Sequence, residues 1–261
     1  QKSRYQLLPA LFIKEEDTYM TKIIAHRGFS SQYPENTMLA FRKAVEAGCD
    51  GIELDVHLSK DGEVVVIHDE FIDRVTGGRK GLVKDMTAGE LGRIDVSSGH
   101  PGSFGFNPIP TLREYFEFAR TQDIFTNIEL KNTIVEYEGL EEKVIALIRE
   151  YGLLDRVSSF NHRSMVNAKK LSPETRCAFL VASHLCAGGR YTKSHGADYI
   201  NPIYTYLDQD TIREIHDEGI QIQAWTVDEE KDMRYLAEQE IFAIITNCPD
   251  RLVKVLRDLG K

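Results

Sequence analysis

The chain has 261 residues, of which 42% are hydrophobic and 28% are charged. This composition is typical of a folded globular enzyme and excludes a largely disordered chain. The formal net charge of −9 argues against a nucleic-acid-binding surface, which requires a basic patch, and no apolar run reaches the length of a membrane span. We therefore expect no nucleic-acid partner and no stable membrane insertion.

The first segment of the chain differs from the rest. Residues 7–13 are apolar, as in a signal sequence, but the run is short, contains Pro9 and leads into an acidic stretch without a small-residue cleavage site. We interpret residues 1–19 as leader or vector-derived sequence, with Met20 as the natural start. Residues 20–261 are expected to form a single catalytic domain.

The cysteine pattern bears on the cellular compartment. The four cysteines lie far apart in the sequence and none has C-x-x-C spacing: Cys49, Cys177, Cys186 and Cys248. This pattern favours neither a thiolate metal site nor a disulfide framework. A reducing compartment fits best, and we predict a cytoplasmic protein.

From residue 22 onward, short apolar segments alternate with helical segments, which indicates βαβ units and a parallel sheet. Strands are predicted near residues 22–26, 51–57, 125–130, 156–160, 176–181, 198–201, 220–225 and 242–246. Helices are predicted near residues 36–47, 111–120, 139–151, 162–171, 184–194, 208–218, 229–239 and 249–258. Eight strand–helix pairs favour an α/β fold of the (β/α)8 TIM-barrel type, with an open doubly wound sheet as the alternative.

The rhythm is interrupted after the second strand. Residues 63–67 read as an extra strand, and residues 70–110 are rich in Gly, Ser and Pro. Active sites of such barrels lie on the loops that follow the strands. We therefore expect the insertion at about 70–110 to cover the site and to shape substrate choice. In the preceding unit, Asn36 either caps the first helix or supports the residues of the site through a contact behind them.

Three carboxylates end neighbouring predicted strands. Glu53 and Asp55 alternate along the second strand, so they point to one face, and Glu129 lies near the end of the next strand of the barrel. Apolar residues flank Glu53 and Asp55, which suggests a strand buried on its outer face rather than a solvated edge. Inward carboxylates in that setting need a cation, and three of them form an oxygen cage for Mg²⁺ or Ca²⁺.

Two histidines and two cations accompany these carboxylates. His26 and Arg27 end the first predicted strand, His68 ends the extra strand, and Lys131 follows Glu129 by two residues. Two histidines offer a proton acceptor and a proton donor near neutral pH, while the cations can hold phosphate oxygens. The alternative for Arg27 is an ion pair with Glu35 or Asp69, and the alternative for Lys131 is an ion pair with Glu129. The set is typical of a phosphoryl-transfer hydrolase.

Six short motifs follow one another in order: A-H-R-G at 25–28, P-E-N-T at 34–37, I-E-L-D-V at 52–56, S-K-D-G at 59–62, V-V-I-H-D at 65–69 and I-E-L-K at 128–131. Weaker matches occur at residues 158–160, 224–227 and 245–247. In this order the motifs resemble the glycerophosphodiester phosphodiesterase family, over about residues 22–258. Each motif alone is weak, and the ordered set is highly specific.

The resemblance implies hydrolysis of a glycerophosphodiester to sn-glycerol 3-phosphate and an alcohol, on a barrel with one divalent cation. It implies Glu53, Asp55 and Glu129 as metal ligands. It also implies His26 and His68 as general acid and base, and Arg27 and Lys131 as phosphate contacts. In this family the attack on phosphorus is attributed to the glycerol hydroxyl of the substrate itself, and water then opens the cyclic phosphate. Which histidine acts first as base stays open.

Two aromatic residues are further candidates for substrate contact. Trp225 ends a predicted strand and could stack on the glycerol carbons, and Phe160 has a similar position; core packing is the alternative for both.

Two rival functions are a phospholipase-type barrel, such as a lysophospholipase D or a phosphoinositide phospholipase, and a catalytically inactive barrel that binds phosphate esters. The alcohol group, the native metal and the oligomeric state are left open.

Overall fold

Nine strands are present in the computed structural model, which describes residues 20–153 and 155–261. They are β1 (Lys22–His26), β2 (Gly51–Leu58), β3 (Val64–Val66), β4 (Phe125–Leu130), β5 (Arg156–Ser159), β6 (Arg176–Val181), β7 (Tyr199–Pro202), β8 (Gln221–Ala224) and β9 (Ala243–Thr246). The segment interpreted as leader sequence, residues 1–19, lies outside the described residues.

All strands except β3 form a closed parallel ring. The order is β1-β2-β4-β5-β6-β7-β8-β9, and β9 pairs with β1 to complete the circle. The predicted (β/α)8 barrel is therefore confirmed, and the open-sheet alternative is wrong. Strand β3 is the extra strand predicted near residues 63–67, and it pairs antiparallel with the end of β2.

Nine helices are present in the same residues, eight of which follow the eight ring strands. They are α1 (Met38–Glu46), α2 (Ala88–Leu91), α3 (Leu112–Ala119), α4 (Leu140–Tyr151), α5 (His162–Leu171), α6 (Gly188–Ser194), α7 (Gln209–Asp217), α8 (Glu230–Glu238) and α9 (Pro249–Asp258). The additional helix, α2, lies in the insertion. Among the described residues, no helix combines the length and apolarity needed to cross a membrane.

The start of α1 differs from the prediction. Its N-cap is Thr37, whose side-chain oxygen accepts a hydrogen bond from the backbone N–H of Ala40, so of the two roles considered for Asn36 the helix cap is wrong. Asn36 has a positive φ of 55°, a conformation that asparagine tolerates better than most residues. This backbone turn directs the Asn36 side chain into the barrel mouth instead.

Two apolar clusters hold the protein together. The larger cluster fills the space between the outer faces of the strands and the surrounding helices, and it includes Ile52, Leu54 and Val56 of β2. The smaller cluster lies largely within the insertion and joins it to β3: Val65, Ile67, Ile72, Val75, Val83, Leu91, Ile94, Val96 and Ile109. Residues 70–110 therefore have an apolar core of their own beside the barrel.

The lower end of the barrel, at the amino ends of the strands, is filled by aromatic rings around one cation. The guanidinium of Arg156 lies 3.8 Å from the ring centroid of Phe125, and 5.3 and 5.2 Å from those of Tyr199 and Phe242. Gly51 leaves room for the Phe125 ring, because a Cβ atom there would lie 2.5 Å from it. These side chains close the barrel opposite its functional end.

This packing predicts that Gly51→Ala destabilises the protein by about 1–3 kcal/mol, because the added methyl must displace the Phe125 ring in a filled core. Urea unfolding followed by circular dichroism measures the change. Gly89→Ala is the matched control, since Gly89 lies on an exposed face of α2 with no atom within 4 Å of the new methyl. Equal unfolding midpoints for the two variants would contradict the packing argument.

Candidate active site

Three buried carboxylates meet at the carboxyl ends of two adjacent strands. Glu53 and Asp55 project inward from β2, and the parallel register sets Asp55 opposite Glu129 on β4. One oxygen from each residue lies within 4.8 Å of the others. The predicted cluster of three carboxylates is therefore present, and its spacing follows directly from strand alternation and register.

Burial and mutual repulsion dominate the electrostatics of this cluster. Burial, together with the charge of Asp55, raises the pKa values of Glu53 and Glu129. Burial alone would also raise the pKa of Asp55, but the guanidinium of Arg27 and nearby cationic groups lower it. One oxygen of Asp55, Oδ1, is buried without a hydrogen-bond partner among the described residues.

An all-oxygen donor set with an unpartnered carboxylate oxygen fits a hard divalent cation such as Mg²⁺ or Ca²⁺. Neighbouring groups also orient these ligands. The Asn36 amide donates a hydrogen bond to Asp55 Oδ2 at 2.8 Å, and the backbone N–H of Arg27 donates to Glu53 Oε2 at 3.0 Å. Such contacts to ligating carboxylates fix their geometry.

His26 faces the carboxylate cluster from the end of β1. Its Nδ1 lies 2.7 Å from Asn247 Oδ1, and its Nε2 lies 4.0 Å from Glu53 Oε2. The Asn247 amide nitrogen donates to Asp228, so its oxygen faces His26 and Nδ1 carries the proton. The free lone pair is then on Nε2. Burial and the adjacent Arg27 lower the pKa of His26 to about 4.

His68 faces the same pocket from beyond β3. Its Nδ1 lies 2.5 Å from Asp69 Oδ1, and its Nε2 lies 3.1 Å from the Lys131 ammonium. An ammonium group can only donate, so Nε2 accepts from Lys131 and Nδ1 donates to Asp69. Both predicted histidines therefore direct Nε2 at the pocket and hold a proton on the opposite nitrogen.

The two predicted phosphate contacts are ion-paired in this structure. Arg27 lies 3.0 Å from Glu35 Oε1 and 3.3 Å from Asp55 Oδ2. Lys131 lies 2.8 Å from Glu129 Oε1 and 3.8 Å from Asp55 Oδ1. Burial alone would lower the pKa of Lys131, but the carboxylates of Glu129 and Asp55 raise it. Both cations thus border the pocket fully charged.

The two histidines, Arg27 and two of the carboxylates line one pocket at the mouth of the barrel. It is lined by His26, Arg27, Glu53, His68, Asn127, Glu129, Ser158, Leu180, Trp225 and Ile245. The indole N–H of Trp225 donates to the carbonyl of Asn201 at 2.6 Å, and Phe160 packs edge-on against the indole at 5.6 Å. Trp225 therefore reaches the pocket, while Phe160 supports it as a neighbour.

Several residues of the site were not predicted. Asn127 and Ser158 occupy inward positions of β4 and β5, which strand alternation from Glu129 would have indicated. Glu35 and Asp69 were considered only as alternative ion-pair partners of Arg27, and Asn247 lies inside a sequence motif without an assigned role. Asp228, which directly precedes the helix predicted near 229–239, accepts hydrogen bonds from Thr246 and Asn247. The helix α8 begins at Glu230 with Glu229 as its N-cap.

The model of the glycerophosphoryl diester phosphodiesterase family matches residues 26–251. The chain belongs to this family. The match includes all nine residues predicted for the site, and it confirms the resemblance drawn from the ordered motifs. The prediction of a phosphoric diester hydrolase is confirmed at the level of the family.

Bacterial family members resemble this chain over nearly its whole length. A glycerophosphodiester phosphodiesterase from Caldanaerobacter subterraneus is 40% identical over 242 residues, which cover 92% of this chain and 99% of the relative. A protein of the same name from Bacillus altitudinis is 41% identical over 245 residues, which cover 92% of this chain and all of the relative.

Solved structures of family members share the barrel. A phosphodiesterase from Oleispira antarctica, in complex with the product sn-glycerol-3-phosphate, has a TM-score of 0.82 and 28% identity and covers 92% of this chain and 98% of its own. The glycerophosphodiester phosphodiesterase of Thermotoga maritima has a TM-score of 0.72 and 30% identity, with 90% and 98% coverage.

The repulsion within the carboxylate cluster predicts the effect of removing one charge. Without divalent cations, Glu53→Gln should raise the free energy of unfolding by about 1–3 kcal/mol, because it relieves like-charge repulsion in a buried site. It should also abolish the rise in melting temperature that Mg²⁺ or Ca²⁺ gives the unaltered protein. Thermal and urea unfolding, with and without cation, measure both effects.

Glu138→Gln is the control for this experiment, since Glu138 is exposed on the loop after β4. Its unfolding should match that of the unaltered protein under both conditions. A Glu53→Gln variant that remains stabilised by cations to the usual extent would remove Glu53 from the ligand set.

Proposed function

We propose that this protein is a divalent-cation-dependent phosphodiesterase that hydrolyses glycerophosphodiesters to sn-glycerol 3-phosphate and an alcohol. The observation that carries the proposal is one pocket lined by two histidines, one arginine and two carboxylates: His26, His68, Arg27, Glu53 and Glu129. Asp55 completes the carboxylate cluster behind this pocket, and Lys131 contacts both Glu129 and His68. Membership of the family supports it, as does the presence of sn-glycerol-3-phosphate in the Oleispira antarctica relative.

Binding of the phosphodiester uses the charged groups at the mouth. Glu53, Asp55 and Glu129 would hold one Mg²⁺ or Ca²⁺, which supplies charge stabilisation at a phosphoryl oxygen and lowers the pKa of a bound hydroxyl. Arg27 and Lys131 would hold the remaining phosphate oxygens. Their present carboxylate partners keep both cations desolvated and aimed at the pocket, so little reorganisation is needed when the anion binds.

The histidines carry the proton transfers. In the first step, Nε2 of one neutral histidine takes the proton from the attacking glycerol hydroxyl, and the other histidine, which enters the step protonated on both nitrogens, gives its Nε2 proton to the leaving alcohol oxygen. The bond between phosphorus and the alcohol oxygen breaks, and a cyclic phosphate forms. In the second step water opens this ring and the histidines exchange roles. Both have Nε2 toward the pocket, so either order of action is compatible with the geometry.

Trp225 is proposed to contact the glycerol carbons, because its indole lines the pocket across from the charged groups. Its N–H is already bonded to Asn201, which leaves the apolar face of the ring for the substrate. Phe160 would fix the orientation of the indole through their edge-on contact.

We also propose that the insertion and the barrel act as one catalytic unit within residues 20–261. The cytoplasmic location stays a prediction; all four cysteines are free.

Removal of the cation should abolish turnover. We expect glycerophosphocholine hydrolysis, followed by coupled detection of glycerol 3-phosphate, to cease in EDTA and to return when Mg²⁺ or Ca²⁺ is added. Persisting activity after thorough metal removal would contradict the cation-dependent mechanism. Failure to hydrolyse any glycerophosphodiester under any metal condition would favour the inactive, phosphate-ester-binding barrel.

Replacement of either histidine should leave the fold intact and slow the reaction. His26→Ala and His68→Ala are each expected to lower kcat by about 10²–10⁴-fold, the usual contribution of a positioned acid or base. The control is His216→Ala, since His216 is exposed on α7 and should turn over normally. A near-normal rate in either pocket variant would exclude that histidine from the proton transfers.

A lysophospholipid is the informative alternative substrate. The large exposed apolar side chains of the insertion are Phe71 and Phe106, which are 54% and 61% exposed. We expect glycerophosphocholine to be preferred over lysophosphatidylcholine, because two such side chains make a small apolar area for contact with lipid. The reverse preference, measured as kcat/KM, would favour the phospholipase-type function.

A further inference from the structure

Arg74 joins the insertion to the catalytic pocket through all three of its guanidinium nitrogens. Nη1 and Nη2 donate to the two oxygens of Glu35 at 2.8 and 2.6 Å, and Nε donates to Asp69 Oδ2 at 2.6 Å. A bidentate pair with an additional charged bond fixes both carboxylates far more strictly than a single contact.

Each of these carboxylates also holds a residue of the pocket. Glu35 Oε1 accepts a second hydrogen bond from Arg27 at 3.0 Å, and Asp69 Oδ1 faces Nδ1 of His68 at 2.5 Å. A continuous chain of charged hydrogen bonds therefore runs from the phosphate contact to the histidine, with Arg74 at its centre.

We propose that Arg74 is a positioning residue that sets the orientation of His68 and the effective charge of Arg27. The inference rests on the proposed function, in which His68 transfers protons and Arg27 holds phosphate. Arg74 itself lines neither the pocket nor the carboxylate cluster, so its influence passes through Asp69 and Glu35.

Electrostatics gives the reason for an effect on Arg27. Glu35 lies between two guanidinium groups, so its negative charge is shared by both. Without Arg74, the full charge of Glu35 would act on Arg27 alone and weaken its attraction for phosphate. Burial alone would raise the pKa of Glu35, but the hydrogen bonds and charges of Arg74 and Arg27 lower it. Glu35 is therefore ionised, and Arg74 and Arg27 compete for its negative charge.

Geometry gives the reason for an effect on His68. Asp69 holds Nδ1 and thereby aims Nε2 at the pocket, and Arg74 fixes the other oxygen of Asp69. Burial would raise the pKa of Asp69, but the hydrogen bonds from His68 and Arg74 hold it below its usual range. Without Arg74, the Asp69 side chain gains rotational freedom, and the imidazole loses its fixed direction.

A purely structural role, anchoring the insertion, is the competing explanation. The insertion has its own apolar cluster and a backbone hydrogen bond from Ile72 to Gly81, so its order does not require Arg74. The Arg74 side chain is also 48% exposed, and ion pairs at such positions contribute little to stability. Loss of Arg74 should therefore change catalysis and phosphate binding more than it changes unfolding.

The test compares Arg74→Met and Arg74→Lys with Lys80→Met. Lys80 lies in the same insertion, its side chain is 83% exposed, and it pairs with Asp73 at 2.8 Å rather than with Glu35 or Asp69. On the Mg²⁺-loaded protein we measure binding of inorganic phosphate by calorimetry, kcat and KM for glycerophosphocholine, and the melting temperature. The affinity for Mg²⁺ is measured separately, by calorimetry on the cation-free protein.

We expect Arg74→Met to lower kcat/KM by about 10–100-fold, the usual effect of losing a residue that orients a catalytic group. Phosphate binding should weaken severalfold, while the melting temperature and Mg²⁺ affinity stay close to those of the unaltered protein. Added guanidinium should restore part of the rate. Arg74→Lys should have a kcat/KM below that of the unaltered protein, because lysine lacks the planar fork for a bidentate pair. Lys80→Met should change none of these quantities.

Unchanged phosphate binding and unchanged kcat/KM in Arg74→Met would overturn the proposal. A joint fall in melting temperature, Mg²⁺ affinity and activity, without rescue by guanidinium, would assign Arg74 to the fold and also overturn it. The measurement of phosphate binding tests this inference independently of the proposed function, because it does not require turnover. If the unaltered protein hydrolyses no diester but its phosphate binding still depends on Arg74, the proposed function fails and the effect of Arg74 on Arg27 stands.

Discussion

The repulsion among three buried carboxylates is the constraint that organises this site. The parallel register of β2 and β4 brings Glu53, Asp55 and Glu129 together whether or not their charges favour it. Arg27 and Lys131 reduce the uncompensated charge of the cluster, and the proposed divalent cation would reduce it further. The same need explains how a chain with net charge −9 presents an attractive pocket to an anion.

Much of this arrangement could be predicted from the sequence because it depends on short-range periodicity. Alternation along β2 puts Glu53 and Asp55 on one face, and their apolar neighbours indicate a strand buried on the other. Eight strand–helix repeats predicted the barrel, and the barrel predicted that the carboxyl ends of its strands face one shared mouth. The boundaries of α4, α5 and α9 agree with the predictions to within one residue, since strong amphipathic patterns and clear Gly or Pro signals mark their ends.

The unpredicted parts depend on contacts between residues distant in sequence. Arg74 meets Glu35 across 39 positions and His26 meets Asn247 across 221, and no local pattern encodes either pair. For Asn36, the local sequence left a helix cap, which suits its residue type, and a contact supporting the site equally open. Its left-handed backbone turns the amide toward Asp55 instead, so tertiary contacts decided between two roles that the residue type allows equally.

The filled lower end of the barrel restricts the route by which molecules enter and leave the pocket. Because Arg156 and its aromatic neighbours close the interior from below, the proposed substrate and its products would share the upper mouth as their route. A phosphomonoester product still bound there would exclude the next diester from Arg27 and Lys131. On the proposed function, competition between product and substrate would therefore follow from the architecture of the barrel.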